Sequence, residues 1–95
     1  MDDRILTLHP DGKAGVNIDR VRYETVRAAI LAAVGEAGEI GFTELIADVQ
    51  HRLAGRFSGS VPWYVTTVKL DLEARGLLER GISEGRQTLR RTDRR

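Results

Sequence analysis

The sequence predicts one mainly helical α+β domain: a short N-terminal arm, three helices, and a small C-terminal β-hairpin. Three observations carry this. Apolar residues recur at three- and four-residue steps in three segments of helical length. Glycine and proline separate those segments. Two short runs near the C-terminus, Leu77 to Arg80 and Thr88 to Arg91, bracket Gly81-Ile82-Ser83-Glu84-Gly85, a hairpin tip with a glycine at either end. With 95 residues, 41% of them apolar, the chain has enough material for one core and too little for a second. It has no cysteine, so neither a disulfide nor a thiolate metal site contributes, and packing must hold it together.

The elements follow in order. Ile5, Leu6 and Leu8 form a strand or an extended arm, a run too short to assign by period, and His9 to Gly15 form a loop. Residues 1–18 are therefore expected to be arm and loop, 19–91 the domain proper, and 92–95 a basic tail. The first helix starts at Asn17 or Asp19, either of which can cap it, and runs to about Val34, before Gly35. Tyr23, Val26, Ile30, Ala33 and Val34 make its buried face. Glu39-Ile40-Gly41 is a very short strand. Thr43 is the expected cap of the second helix, whose apolar face is Phe42, Leu45, Ile46, Val49 and Leu53. A turn over Gly55 to Gly59 leads to the third helix. It begins after Ser60, with Pro62 in its first turn, and ends at Arg75 with Gly76 reversing the chain. Val61, Tyr64, Val65, Val68 and Leu72 share its inward side.

That order, together with the run Leu70 to Arg80 (Leu-Asp-Leu-Glu-Ala-Arg-Gly-Leu-Leu-Glu-Arg), resembles the winged helix-turn-helix superfamily. The resemblance implies that Leu72 packs in the core, that Gly76 reverses the chain, and that Leu77 and Leu78 start the wing. More closely, His9 to Gly15, Asn17-Ile18-Asp19 and Ser60 to Arg80, with Trp63-Tyr64-Val65-Thr66-Thr67-Val68-Lys69, look like a family of small uncharacterised bacterial proteins assigned to that fold. The likeness implies architecture and carries over no activity, because many functions share one fold.

Charge narrows the functional classes. Fifteen Lys and Arg against fourteen Asp and Glu leave +1, which is not the balance of a strongly basic nucleic-acid binder. The positive charge is concentrated after Leu78, in Arg80, Arg86, Arg90, Arg91, Arg94 and Arg95. The first expectation is therefore a transcription-regulator-like protein contacting duplex DNA mainly through its wing arginines, Arg80, Arg86, Arg90 and Arg91, with Thr66, Thr67 and Lys69 as third-helix contacts. On the third helix, Pro62, Trp63, Thr66, Thr67, Lys69, Leu70, Glu73 and Ala74 are expected to face away from the core. Lys69 is the only cation of that face, and over the whole helix Lys69 and Arg75 are cancelled by Asp71 and Glu73.

The alternative starts from Trp63, Leu70 and Ala74, which stack as a second apolar stripe on that face. Either the arm covers the stripe through Ile5, Leu6 and Leu8, or the stripe is a homodimer or protein-partner surface with no DNA binding. An enzyme is not expected. His9 sits in a loop near Asp11, and His51 follows Glu44 and Asp48 on a helix face that an Asp48–Arg52 pair explains as solvated surface. Ser58, Ser60 and Ser83 have no base nearby in sequence. Gly12-Lys13-Ala14-Gly15 lacks the pattern of a phosphate-binding loop, so no cofactor and no small-molecule substrate are expected. The acidic start, the lack of a membrane-length apolar run and the missing cysteines fit a cytoplasmic protein.

Overall fold

The computed structural model describes residues 3–92. Along the chain run β1 (Arg4–Leu6), β2 (Asn17–Asp19), α1 (Arg20–Ala37), β3 (Glu39–Gly41), α2 (Phe42–Arg52), α3 (Val61–Ala74), β4 (Leu78–Ser83) and β5 (Arg86–Arg91). They form a small α+β domain of three helices and two antiparallel sheets, one pairing β1 with β2 and one ordered β3-β5-β4.

The first departure from expectation lies at the N-terminus. Asn17 to Asp19 are a strand rather than the start of a helix, and the expected boundary after residue 18 falls inside a strand pair. Ile5 stands opposite Ile18, and both pack toward the core. Thr7 continues the pairing: its N–H donates to the Val16 carbonyl at 2.8 Å, and its Oγ1 accepts from the Val16 N–H at 2.9 Å. A two-residue period over so few residues shows its inward face only once the partner strand is present.

Asp19, one of the two expected caps, accepts the Arg22 N–H at 2.9 Å and starts α1. The helix does not stop at Gly35. It continues to Ala37, and Gly38, at φ +80°, turns the chain while its N–H donates to the Val34 carbonyl. An isolated glycine costs a helix only about 1 kcal/mol, less than the burial of Ile30, Ala33 and Val34 around it contributes.

The cap expected at Thr43 is also corrected. α2 begins directly on β3 at Phe42, with Gly41 at the cap position and no side-chain cap bond, so Thr43 lies inside the first turn. Glu44 folds back over Gly41, where an added Cβ would sit 2.2 Å from its Oε1. Any larger residue at 41 would displace that carboxylate.

α3 starts and ends close to expectation. Ser60 Oγ accepts the Trp63 N–H, and Gly76, at φ +80°, closes the far end as Leu77 N–H reaches the Leu72 carbonyl at 2.9 Å. The hairpin is tighter than predicted. Its turn is Glu84-Gly85 alone, both at positive φ, and Gly81 is not at the tip but within β4, opposite Thr88. Ile30, Val34, Leu45, Val49, Val65, Val68, Leu72 and Leu89 form the centre of one core shared by the three helices and the larger sheet.

Candidate functional site

α3 is wedged between α1 and the β3-β5-β4 sheet, so its buried arc is wider than one stripe. The consequences are largest for its charged residues. Lys69, expected to face outward as a DNA contact, is only 4% exposed. Its Nζ donates to Glu73 Oε2 at 2.8 Å and to Gln87 Oε1 at 2.9 Å, and it lies 5.1 Å from the centre of the Phe42 ring. The Glu73 carboxylate is itself enclosed, and its other oxygen accepts both Nε and Nη2 of Arg80, at 3.0 and 2.6 Å. Two of the expected nucleic-acid contacts, Lys69 and Arg80, therefore meet on one glutamate. That carboxylate holds the Arg80 proton more tightly than usual, with a smaller contribution from the charge of Asp11.

The other flank of α3 carries a second enclosed group. Asp71 is fully buried; one oxygen accepts the Leu8 N–H at 2.8 Å, and the other accepts from the Tyr23 hydroxyl and from Arg75 Nε. Burial and donation to Asp71 push the Tyr23 hydroxyl up to about 12. The hydrogen bond to Asp71 likewise raises the Arg75 guanidinium above its ordinary value. Among the described residues no buried side-chain nitrogen or oxygen lacks a partner, so both clusters are complete as they stand.

The sequence places Glu73 on the outward face and enters Asp71 only in the helix's charge balance, and neither cluster is legible in it. A partial signal was present: Lys69–Glu73 and Asp71–Arg75 are spaced at i,i+4, and a tyrosine at an α1 core position needs a partner for its hydroxyl.

Between these flanks lies the outer face of α3. Trp63 is 46% exposed, Thr66 is exposed and bonds back to the Pro62 carbonyl, and Thr67, Leu70 and Ala74 are half-buried. The expected stripe therefore exists, and it carries no charge. The arm does not cover Trp63: β1 packs on β2 and α1, leaving Leu6 and Leu8 exposed. Beyond β1 the chain is tied to the C-terminal half of the helix at Leu8, whose N–H donates to Asp71. Trp63 stands edge-on to Tyr64, and Tyr64 edge-on to Phe57, with ring centres about 5 Å apart in each pair.

The remaining hairpin arginines are partly committed as well. Arg90 pairs with Glu79 across the strands, and Arg91 lies along α1 with Nη1 toward the Leu31 carbonyl. Arg86, beside the turn, is exposed and has no carboxylate partner among the described residues. Arg94 and Arg95 lie outside the described residues. The predicted Asp48–Arg52 pair forms at 2.6 Å, with Glu36 as a second acid on Arg52. His9 Nδ1 accepts the Asp11 N–H, and His51 is exposed at the end of α2. Among the described residues no three His, Cys, Asp or Glu side chains converge to hold a metal, and no helix is long and apolar enough to cross a membrane.

Residues 4–89 match the profile of a family described as "Family of unknown function (DUF6958)", and the chain belongs to that family. No curated protein and no solved structure matches it.

Proposed function

We propose that this member of the DUF6958 family is a winged helix-turn-helix protein used as a protein-docking module, with the outer face of α3 as its working surface. The order α1-β3-α2-α3-β4-β5 around a β3-β5-β4 sheet supports the architecture, with α3 in the groove-reading position and the β4–β5 hairpin as the wing. One observation carries the functional reading. The outer face of α3 offers Trp63 beside Leu70 and Ala74 but no cation, since its one lysine is turned inward and neutralised. An exposed tryptophan in line with further apolar residues on one helix face is the composition of a protein interface, whereas a face without cations lacks the main attraction for phosphate.

Photo-crosslinking tests this directly. A benzophenone amino acid at position 63, introduced in the cells that make the protein, is expected to trap a second copy or another protein, while the same group at position 86 does not. A nucleic-acid adduct at 63, or no protein adduct there, overturns the reading.

A second reading, duplex DNA held through the wing, keeps one supporting observation: the exposed guanidinium of Arg86 beside the turn. Mobility shifts at two salt concentrations separate the two. Wing-mediated DNA binding weakens steeply with salt and is lost in Arg86→Ala; docking through α3 gives no shift with micromolar protein.

A further inference from the structure

A different face of the molecule holds a groove between α1 and the α2–α3 turn. Two neighbouring cavities of about 440 and 350 Å³ share Thr25 and Arg56 in their walls. Ala28, Ala29 and Leu53 line one end, and Val21 and Phe57 the other. Three arginines line it, and two of them, Arg22 and Arg56, differ from the third, Arg52, and from those around α3. Arg22 donates through Nε to the Ser58 carbonyl at 2.9 Å and through Nη2 to Ser58 Oγ; Arg56 donates through Nη2 to the Arg52 carbonyl at 2.7 Å. Neither meets a carboxylate among the described residues, while Arg20, Arg52, Arg75, Arg80 and Arg90 all do. The one acid lining the groove beside them, Asp19, is already engaged as the α1 cap. Each guanidinium has five N–H donors in a fixed fork, so most of that capacity remains open at Arg22 and Arg56.

We propose that this groove binds an acidic, partly apolar segment of a partner protein. A carboxylate of that segment bridges Arg22 and Arg56, while a neighbouring aliphatic side chain sits over the exposed Val21 and Ala28. The arginines select the charge, because paired N–H donors match a carboxylate's two oxygens. The apolar lining selects a peptide over a bare phosphate, which gains nothing from covering valine and alanine. This site is separate from the outer face of α3 and goes beyond the docking reading above.

Selection of a random peptide library displayed on phage against the full-length chain tests it. Enriched peptides are expected to carry Asp or Glu next to Leu, Ile or Phe, and to bind about tenfold or more weaker to the Arg22→Gln/Arg56→Gln double variant. Ala28 is exposed, so Ala28→Glu should fold normally, and placing a like charge in the groove should abolish binding; it guards against loss of fold in the double variant. Backbone amide shifts on binding should centre on Thr25 and Ala28. No enrichment, enrichment of acid-free peptides, or acidic peptides that bind both variants as well as the natural chain overturns the proposal. So does displacement of the selected peptides by an oligonucleotide, which would assign the groove to nucleic acid. Peptides lost in Trp63→Ala but retained in the groove variants would support the α3 face and overturn this site, so the two readings fail separately.

Discussion

Arg80 and Arg90 of the β4–β5 hairpin and Arg22 and Arg56 beside α1 are the same residue type in opposite circumstances. Arg80 and Arg90 each face a carboxylate, on α3 and on the neighbouring strand respectively. Arg22 and Arg56 are met only by carbonyls and one hydroxyl. A count of basic residues points to the hairpin as the electropositive face. Pairing narrows that difference, because a guanidinium beside a carboxylate forms a net-neutral pair whose field falls off faster with distance than that of a lone charge. What decides a surface's character is where the acids fold to.

This contrast is easiest to break at the buried acids. Asp71→Asn removes the charge that accepts from Tyr23, Arg75 and Leu8 N–H together. It should lower stability by about 3 kcal/mol in urea unfolding, because a buried group with three donors loses its charge-assisted bonds. A loss below about 0.5 kcal/mol would mean the cluster is wet and the Leu8 tie unimportant.

Lys69→Ala comes next. It leaves Glu73 enclosed with Arg80 as its one remaining cation, for an expected loss of about 2 kcal/mol. The same variant should leave any DNA affinity unchanged, whereas an outward-facing Lys69 would show the reverse pattern: normal stability and weaker binding.

Tyr23 gives a pH signature of similar size. Its hydroxyl is raised to about 12 in the folded chain from about 10 in the unfolded one, so the native state holds the proton more tightly. The associated stability is fully present below about pH 10 and is lost as pH rises through 12, in total roughly 2–3 kcal/mol. Ultraviolet titration should show a late tyrosinate step that disappears in Tyr23→Phe. If that step is unchanged by the substitution, Tyr23 is not bonded to Asp71.

Smallest is Arg90→Ala. The Glu79 pair is exposed on both sides, so thermal unfolding should report less than about 1 kcal/mol. A larger loss would give the hairpin pair the structural weight assigned here to the clusters beside α3.

Much of this was visible before any coordinates. The three helices, their apolar faces, the Ser60 cap and the Gly76 reversal all follow from local signals, since caps and helical period act within a few residues of one another. The N-terminal strand pair was not visible, because Ile5 and Ile18 define a face only by meeting across a loop. The helix that passed through Gly35 was misread for a related reason: a local preference worth about 1 kcal/mol gave way to tertiary burial.

The site divides the same way. The uncharged stripe of Trp63, Leu70 and Ala74 was legible from helical spacing. The inward turn of Lys69, the complete burial of Asp71 and the convergence of Arg22 with Arg56 were not. A side chain's charge is set by its own chemistry and can be read one letter at a time. Whether that charge faces solvent or a partner depends on residues 4 to 63 positions away along the chain, such as Glu73 for Lys69 and Tyr23 and Leu8 for Asp71, and these are brought together only by packing. For this protein the sequence alone determined the helical frame and the inventory of charges; tertiary structure decided which charges remain available, because electrostatic pairing requires contact in space.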